Sequence, residues 1–296
     1  MLGYVYQFET RTQFVPDSFQ NCAGAEAGTE FRKNSRQMNK LQQAATKLGL
    51  ALLDFVYPPH CLACGAALRA ARENLCVGCW EEILVQPGPR CRLCSCPLDV
   101  EGTDCTNCSS WEPEFERALV LGPFAGAMQQ AVHALKFMQQ QALGMELGRR
   151  LGQRPDFVAD LQQIDLLIPV PLHPARQRER GYNQSLCIAR GLAEATGLPL
   201  ENNLLVRRLA TRQQAKLDAR ARRDNLLAAF RVVGAVPAHT CIGVVDDVLT
   251  TGATFNACAR VLQRAGACRI WALALASPFH QPIDQAVNLR NRAGWA

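Results

Sequence analysis

Two groups of residues in this sequence are spaced for chemistry. The first is a set of cysteines arranged as Cys-x-x-Cys pairs: Cys61 with Cys64, Cys76 with Cys79, Cys91 with Cys94, and Cys105 with Cys108. A Cys-x-x-Cys turn presents two thiolates to one face of a metal, and two such turns complete a closed tetrahedral Zn site. A closed site keeps no coordination position open, so its role is structural. The pattern occurs twice, which predicts two Zn²⁺ ions. Sequential pairing puts Cys61, Cys64, Cys76 and Cys79 on one ion and Cys91, Cys94, Cys105 and Cys108 on the other; an interleaved pairing is the alternative. Gly65 and Gly78 fit tight turns, and Cys96 and His60 are nearby donors read as non-ligands.

The second group lies in Cys241–Thr254. An apolar run, Ile242–Val245, reads as a buried parallel strand. It ends in two adjacent acids, Asp246 and Asp247. A loop of small and hydroxylated residues follows, Thr250–Thr254, and Phe255–Gly266 then has helical spacing of apolar residues. Backbone N–H groups at a helix start favour an anion, and Gly252 lets the backbone approach it closely. An ordinary strand–turn–helix connection is the plainer reading, but it gives no reason for paired acids at the end of a buried strand.

Other elements must carry and face this loop. Phe115–Leu121 and Ile164–Val170 read as strands, with a helix over Ala131–Leu151 between them. His133 and Lys136 share a face of that helix; surface exposure is expected of both, the alternative being that Lys136 reaches phosphates. After Ile168 comes a turn with Pro169, Pro171 and Pro174, then a basic loop with Arg176, Arg178 and Arg180, then a helix over Ser185–Thr196. Asn183, Gln184 and Ser185 stand at its start, placed to cap it or to bind an anion. A second basic segment spans Arg207–Arg223. Over Pro171–Arg223 there are eleven Lys/Arg and four Asp/Glu, a local charge of +7 against +6 for the whole chain. A solvated helix face explains part of that charge, and a polyanionic partner explains its one-sidedness better.

The chain of 296 residues, with 48% hydrophobic residues, suits two domains and a sizeable core. No apolar stretch is long enough to span a bilayer, so no membrane insertion is expected. No secretory leader is evident at the start, and cysteines used in clustered pairs favour thiolate–metal chemistry in the cytoplasm. Residues 1–37 have no periodicity and read as disordered, or as an extension upstream of a true start at Met38. Residues 38–57 read as a helix stopped by Pro58 and Pro59. Residues 58–112 hold the cysteine module, whose few apolar residues make its fold depend on metal. Arg69, Arg72, Arg90 and Arg92 lie among the ligands with Trp80 and Trp111 nearby, as a nucleic-acid surface or as a solvated basic face over two core aromatics.

Taken together, the four Cys pairs, Pro169-Val-Pro-Leu-His, Arg180-Gly-Tyr-Asn-Gln-Ser, Thr211-Arg-Gln-Gln-Ala and Val245-Asp-Asp-Val-Leu-Thr-Thr-Gly-Ala-Thr resemble the ComF family (ComFC and its GntX-like relatives) over Met38–Ser277. The resemblance implies an α/β fold: a type I phosphoribosyltransferase-like parallel sheet flanked by helices over residues 113–296, preceded by a double zinc ribbon. It implies a site for 5-phosphoribosyl-1-pyrophosphate (PRPP). There Asp246 and Asp247 face the ribose hydroxyls, and Leu249, Thr250, Thr251, Gly252, Ala253 and Thr254 wrap the 5′-phosphate. Pro171 and Leu172, with Arg176 or Arg180, meet the pyrophosphate beside Mg²⁺, and Arg222 belongs to a closing basic flap. Relatives that use a carboxylate base carry Asp at the position of Thr250, so Thr250 performs no such role. The implied biology is the handling of imported DNA in natural transformation or nutrition, with single-stranded DNA and the uptake machinery as partners. The alternative is an active transferase moving ribose 5-phosphate from PRPP to an unknown acceptor.

Overall fold

The computed structural model describes residues 59–70, 73–84, 88–98, 100, 105, 106, 108, 113–207 and 229–278. The chain divides into two units, Met1–Tyr57 and Pro58–Ala296, and every described residue belongs to the second. The expectations for residues 1–37 and 38–57, for Arg72 and Trp111, for Arg222 and for most of the basic flap lie outside the described residues.

The centre is a four-stranded parallel sheet ordered β1-β6-β5-β2, with β1 Arg117–Pro123, β2 Leu166–Pro169, β5 Cys241–Val248 and β6 Arg269–Ser277. A short antiparallel pair, β3 Leu205–Arg207 and β4 Phe230–Val232, lies apart from it. The central strands β5 and β6 read as nearly continuous apolar runs because both faces of the sheet are covered. On one face pack α1 Val77–Leu84, α2 Gly126–Phe137, α3 Gln141–Gly152 and α6 Gln184–Thr196, through Ile83, Leu135, Leu147 and Ile188 against Leu119, Val245 and Leu273. On the other, α7 Ala253–Arg264 and the β3–β4 pair pack through Phe255, Cys258, Leu205 and Phe230 against Val120, Val244 and Ala272. Each fully buried Leu, Val or Phe contributes about 1.5–3 kcal/mol, so the two half-cores hold the sheet from both sides.

Several boundaries differ from expectation. The helix expected over Ala131–Leu151 is two helices, α2 and α3, broken at Met138–Gln140, where Gln139 has φ 54°. The basic loop is a short helix, α5 Pro174–Arg180. Its residues bury nothing, so it has no apolar stripe to betray it; Pro174 in its first turn, His173 Nδ1 accepting from Ala175 N, and Gly181 at φ 77° bound it instead. Strand β5 runs past the acids to Val248, and Gly78 sits within α1 rather than in a turn, whereas Gly65 has φ 76° as a tight turn requires. A single helical turn, α4 Val158–Leu161, precedes β2.

Close approach sets α6. A Cβ on Gly191 would lie 1.9 Å from Met145 O, and one on Gly148 would lie 2.0 Å from Ile188 O. These two glycines let α3 and α6 meet backbone to backbone, which brings the N-terminus of α6 over the C-terminal end of β5.

Candidate functional site

Asp246 and Asp247 are consecutive in an extended strand, so their side chains leave opposite faces of the sheet. Asp247 is buried on the α2/α6 side, 5% exposed. Its Oδ1 lies 3.1 Å from Lys136 Nζ, and its Oδ2 accepts from Gln184 Nε2 at 3.1 Å. Asp246 is half-buried; it leaves the strand toward α7, yet at the strand's end its Oδ1 accepts from Ser185 Oγ of α6 at 2.7 Å and from Asp247 N at 2.9 Å. Burial, with the Asp247 charge beside it, pushes the Asp246 carboxyl up to about 6. Under it, burial and the Asp246 charge hold the Cys258 thiol well above the usual range, so this cysteine is neutral.

The loop after β5 is built for close approach. Leu249 is buried and its N–H donates to Ala276 O, pinning the strand exit. Gly252 stands before α7 at φ 70°, a conformation a side chain would resist. Thr251 Oγ1 accepts from Ala253 N at 3.4 Å and shapes the turn, while Thr250, Thr251 and Thr254 keep partly exposed side chains. Ala253 and Thr254 form the first turn of α7, and both are half-buried.

Of the other expected residues, Pro171 and Leu172 follow β2 and are half-buried, Arg176 is exposed on α5, and the Arg180 guanidinium lies 5.6 Å from the centre of the Phe137 ring. Lys136 was expected at the surface; it is instead paired with Asp247. Gln184 and Ser185 were expected to cap a helix or bind an anion; the cap is Asn183, whose side chain accepts from Ser185 N, and the other two bond to the acids. Arg207, at the end of β3, has its guanidinium charge disfavoured by burial and then by Arg176. The sequence signals for these residues were slight: a Lys closing an apolar helix, and three amide or hydroxyl residues opening another. The Tyr182 hydroxyl donates to Leu135 O and ties the α2 end to the turn before α6; burial pushes that phenol up to about 12.

The cysteines form two groups, Cys61/Cys64/Cys76/Cys79 and Cys91/Cys94/Cys105/Cys108, with all ligand atoms of each group within 4.8 Å of one another. Sequential pairing holds. Sγ separations are 3.7 Å for Cys61–Cys79, Cys64–Cys76 and Cys91–Cys108, and 3.6 Å for Cys94–Cys105. A tetrahedron with Zn–S bonds of about 2.3 Å has edges of about 3.8 Å, so both groups fit Zn²⁺. Cys96 stands outside the tetrad, with its thiol on Pro97 O and 3.7 Å from Cys105 Sγ. Arg90 turns inward, its Nη1 on Ser95 O, and burial pushes its guanidinium down to about 10. Trp80 packs against the core under Arg150. Both keep partial exposure.

A double zinc ribbon domain family matches residues 52–109. Competence protein F of Haemophilus influenzae is 31% identical over 225 residues, covering 73% of this chain and 97% of that one. The chain belongs to the ComF family. Other ComF-family relatives include DNA utilization protein YhgH of Salmonella typhimurium, 30% identical over 73% of this chain and 96% of that one. Competence protein ComFC of Bacillus subtilis is 27% identical over 66% of this chain and 80% of that one. Among solved structures, glutamine PRPP amidotransferase of Bacillus subtilis overlaps at 20% identity and TM-score 0.34, over 49% of this chain and 30% of that one. A hypoxanthine phosphoribosyltransferase of Staphylococcus aureus overlaps at 13% and 0.31, over 47% and 64%. Overlaps of this extent carry no argument about function. Among the described residues, no helix is long and apolar enough to cross a membrane.

Proposed function

We propose that this ComF-family chain binds PRPP or a related phosphorylated sugar at the C-terminal end of β5 and serves the handling of imported DNA. The observation that carries the reading is the acid pair held directly ahead of an open hydroxyl loop and a helix N-terminus. Ligands of open α/β sheets bind at that end of the strands. In this reading Asp246 and Asp247 accept from the ribose hydroxyls. Backbone N–H groups of residues 250–254 and the Thr250, Thr251 and Thr254 hydroxyls take the 5′-phosphate, and Arg176 faces the pyrophosphate from the turn after Pro171 and Leu172. Arg180 and Arg222 supply further positive charge. Mg²⁺ suits a site built on two carboxylates, since it takes its remaining ligands from phosphate oxygens and water; when bound it would neutralise the pyrophosphate. The names of the H. influenzae and S. typhimurium relatives support the DNA role, and the basic run over Pro171–Arg223 supports contact with single-stranded DNA there and at the ribbons.

Calorimetry with PRPP and Mg²⁺ tests the site. Heat of binding is expected, with a loss of about tenfold or more in affinity on Asp246→Ala or Asp247→Ala; no heat from the unaltered chain refutes it. Single-stranded DNA binding at low salt that survives Asp247→Ala but is lost in the Arg220/Arg222/Arg223→Ala triple variant supports the DNA role. Active transfer of ribose 5-phosphate is the second reading, favoured by the complete acid-and-hydroxyl loop. Pyrophosphate release from PRPP that depends on both acids and on an added base or nucleic acid would establish it.

A further inference from the structure

Lys136 is the one cation that the described residues place in hydrogen-bonding contact with the acid pair. It is delivered by the last turn of α2, just before that helix breaks at Met138–Gln140, and its side chain is 19% exposed. Its neighbours on α2 are also committed to the site: Leu135 O accepts from Tyr182, and the Phe137 ring lies under Arg180. The partner carboxylate is buried, and each of its oxygens is engaged by a different element, Lys136 from α2 and Gln184 from α6. A buried carboxylate held at both oxygens has one rotamer. It also keeps lone pairs to accept a further hydroxyl, since each oxygen has two. Asp246 is held at one oxygen only among these bonds, from Ser185 and the Asp247 backbone. The two acids are therefore unequal: one is locked and charge-compensated, the other is held less tightly.

We propose that Lys136 is a positioning residue of the phosphosugar site, fixing Asp247 so that its carboxylate reads a ribose hydroxyl. This rests on the reading of the site given above. The phosphate loop is a separate element and anchors the sugar whether or not that hydroxyl is read. Lys136 thus governs discrimination between ribose and deoxyribose rather than affinity for phosphate. A site built to bond a hydroxyl rejects the analogue that lacks it, because a buried polar group is left unpaired.

The test compares ribose 5-phosphate with 2-deoxyribose 5-phosphate by calorimetry, in the full zinc-loaded chain and in Lys136→Met, Lys136→Gln and Lys136→Arg. The unaltered chain is expected to prefer the ribose form by about tenfold or more. Lys136→Met keeps binding of the deoxy sugar within about threefold but loses the preference, and Lys136→Arg, which can still pair with Asp247, retains most of it. Lys136→Gln offers only a neutral amide, so it also loses most of the preference; it carries the test if Lys136→Met does not fold. A residue that merely supported the fold would weaken both sugars alike and leave their ratio unchanged. Retention of the full preference in the folded Met or Gln variant overturns the proposal while leaving the site intact. Failure of the unaltered chain to bind either sugar overturns the site reading itself, and this inference with it.

Discussion

The two zinc ribbons hold four thiols each and serve opposite faces of the sheet. Cys61, Leu75, Cys79 and Ile83 of the first join the half-core under α2, α3 and α6, whereas Cys94 and Cys96 of the second join the half-core under α7. The first ribbon runs directly into α1, and Glu82 of that helix accepts from Ala127 N at 2.9 Å, capping the start of α2. The second has no such helix among the described residues; its turn lies against β1 instead, where Ser95 Oγ accepts from Val120 N at 3.3 Å. The turns themselves record the difference. Gly65 N donates to Cys61 O and Ser95 N to Cys91 O, and both residues are left-handed, at φ 76° and 62°. Glycine occupies the turn that faces open space, and serine the one whose hydroxyl has work on a strand. Duplicated metal sites have thus been fitted to different neighbours.

The largest effect should come from removing one thiol of each tetrad. Cys79→Ser and Cys105→Ser should each lower bound zinc from two ions per chain to one, since each closed site has its own four ligands, and a structural site contributes on the order of 10 kcal/mol of binding energy. Hydrogen exchange should then quicken mainly in α2 for Cys79→Ser and mainly in β1 for Cys105→Ser; the reverse pattern would break the division. Next is Ser95→Ala, which leaves Val120 N of β1 without its Ser95 partner while keeping a side chain in the left-handed turn, and should cost about 1–2 kcal/mol in chemical denaturation. Ser95→Gly should cost less, because the turn relaxes as the bond is lost. Glu82→Ala should cost about 1 kcal/mol as a lost helix cap, with quicker exchange at the start of α2. Cys96→Ala should have the smallest effect, with zinc unchanged at two ions and stability within about 1 kcal/mol; loss of an ion would make Cys96 a ligand.

What was legible in the sequence was local. Cys-x-x-Cys spacing, an apolar run leading into acids, and a small-residue loop each declare themselves within a dozen residues; the cysteines group as expected, and the strand differs only in running past the acids to Val248. The role of Lys136 was not legible, because periodicity says which side chains share a face and nothing about what lies opposite. Lys136 meets Asp247 only after α2 and β5, far apart in the chain, pack on the same half-core. Gln184 and Ser185 were noticed, but their partners depend on how closely α6 sits, and that depends on Gly148 and Gly191. The break after α2 carries no Pro or Gly to announce it, and α5 lacks the apolar stripe on which helix recognition relies.

Strand β1 closes one side of the sheet, and such a border ordinarily offers its unpaired amides and carbonyls to any passing chain. Here Ser95 takes the amide of Val120, and Arg154 Nη1, held by Asp156, reaches Leu121 O at 3.2 Å. The second metal site therefore helps to cover that border. Chelating it should show itself first as self-association in light scattering, before any loss of helix signal.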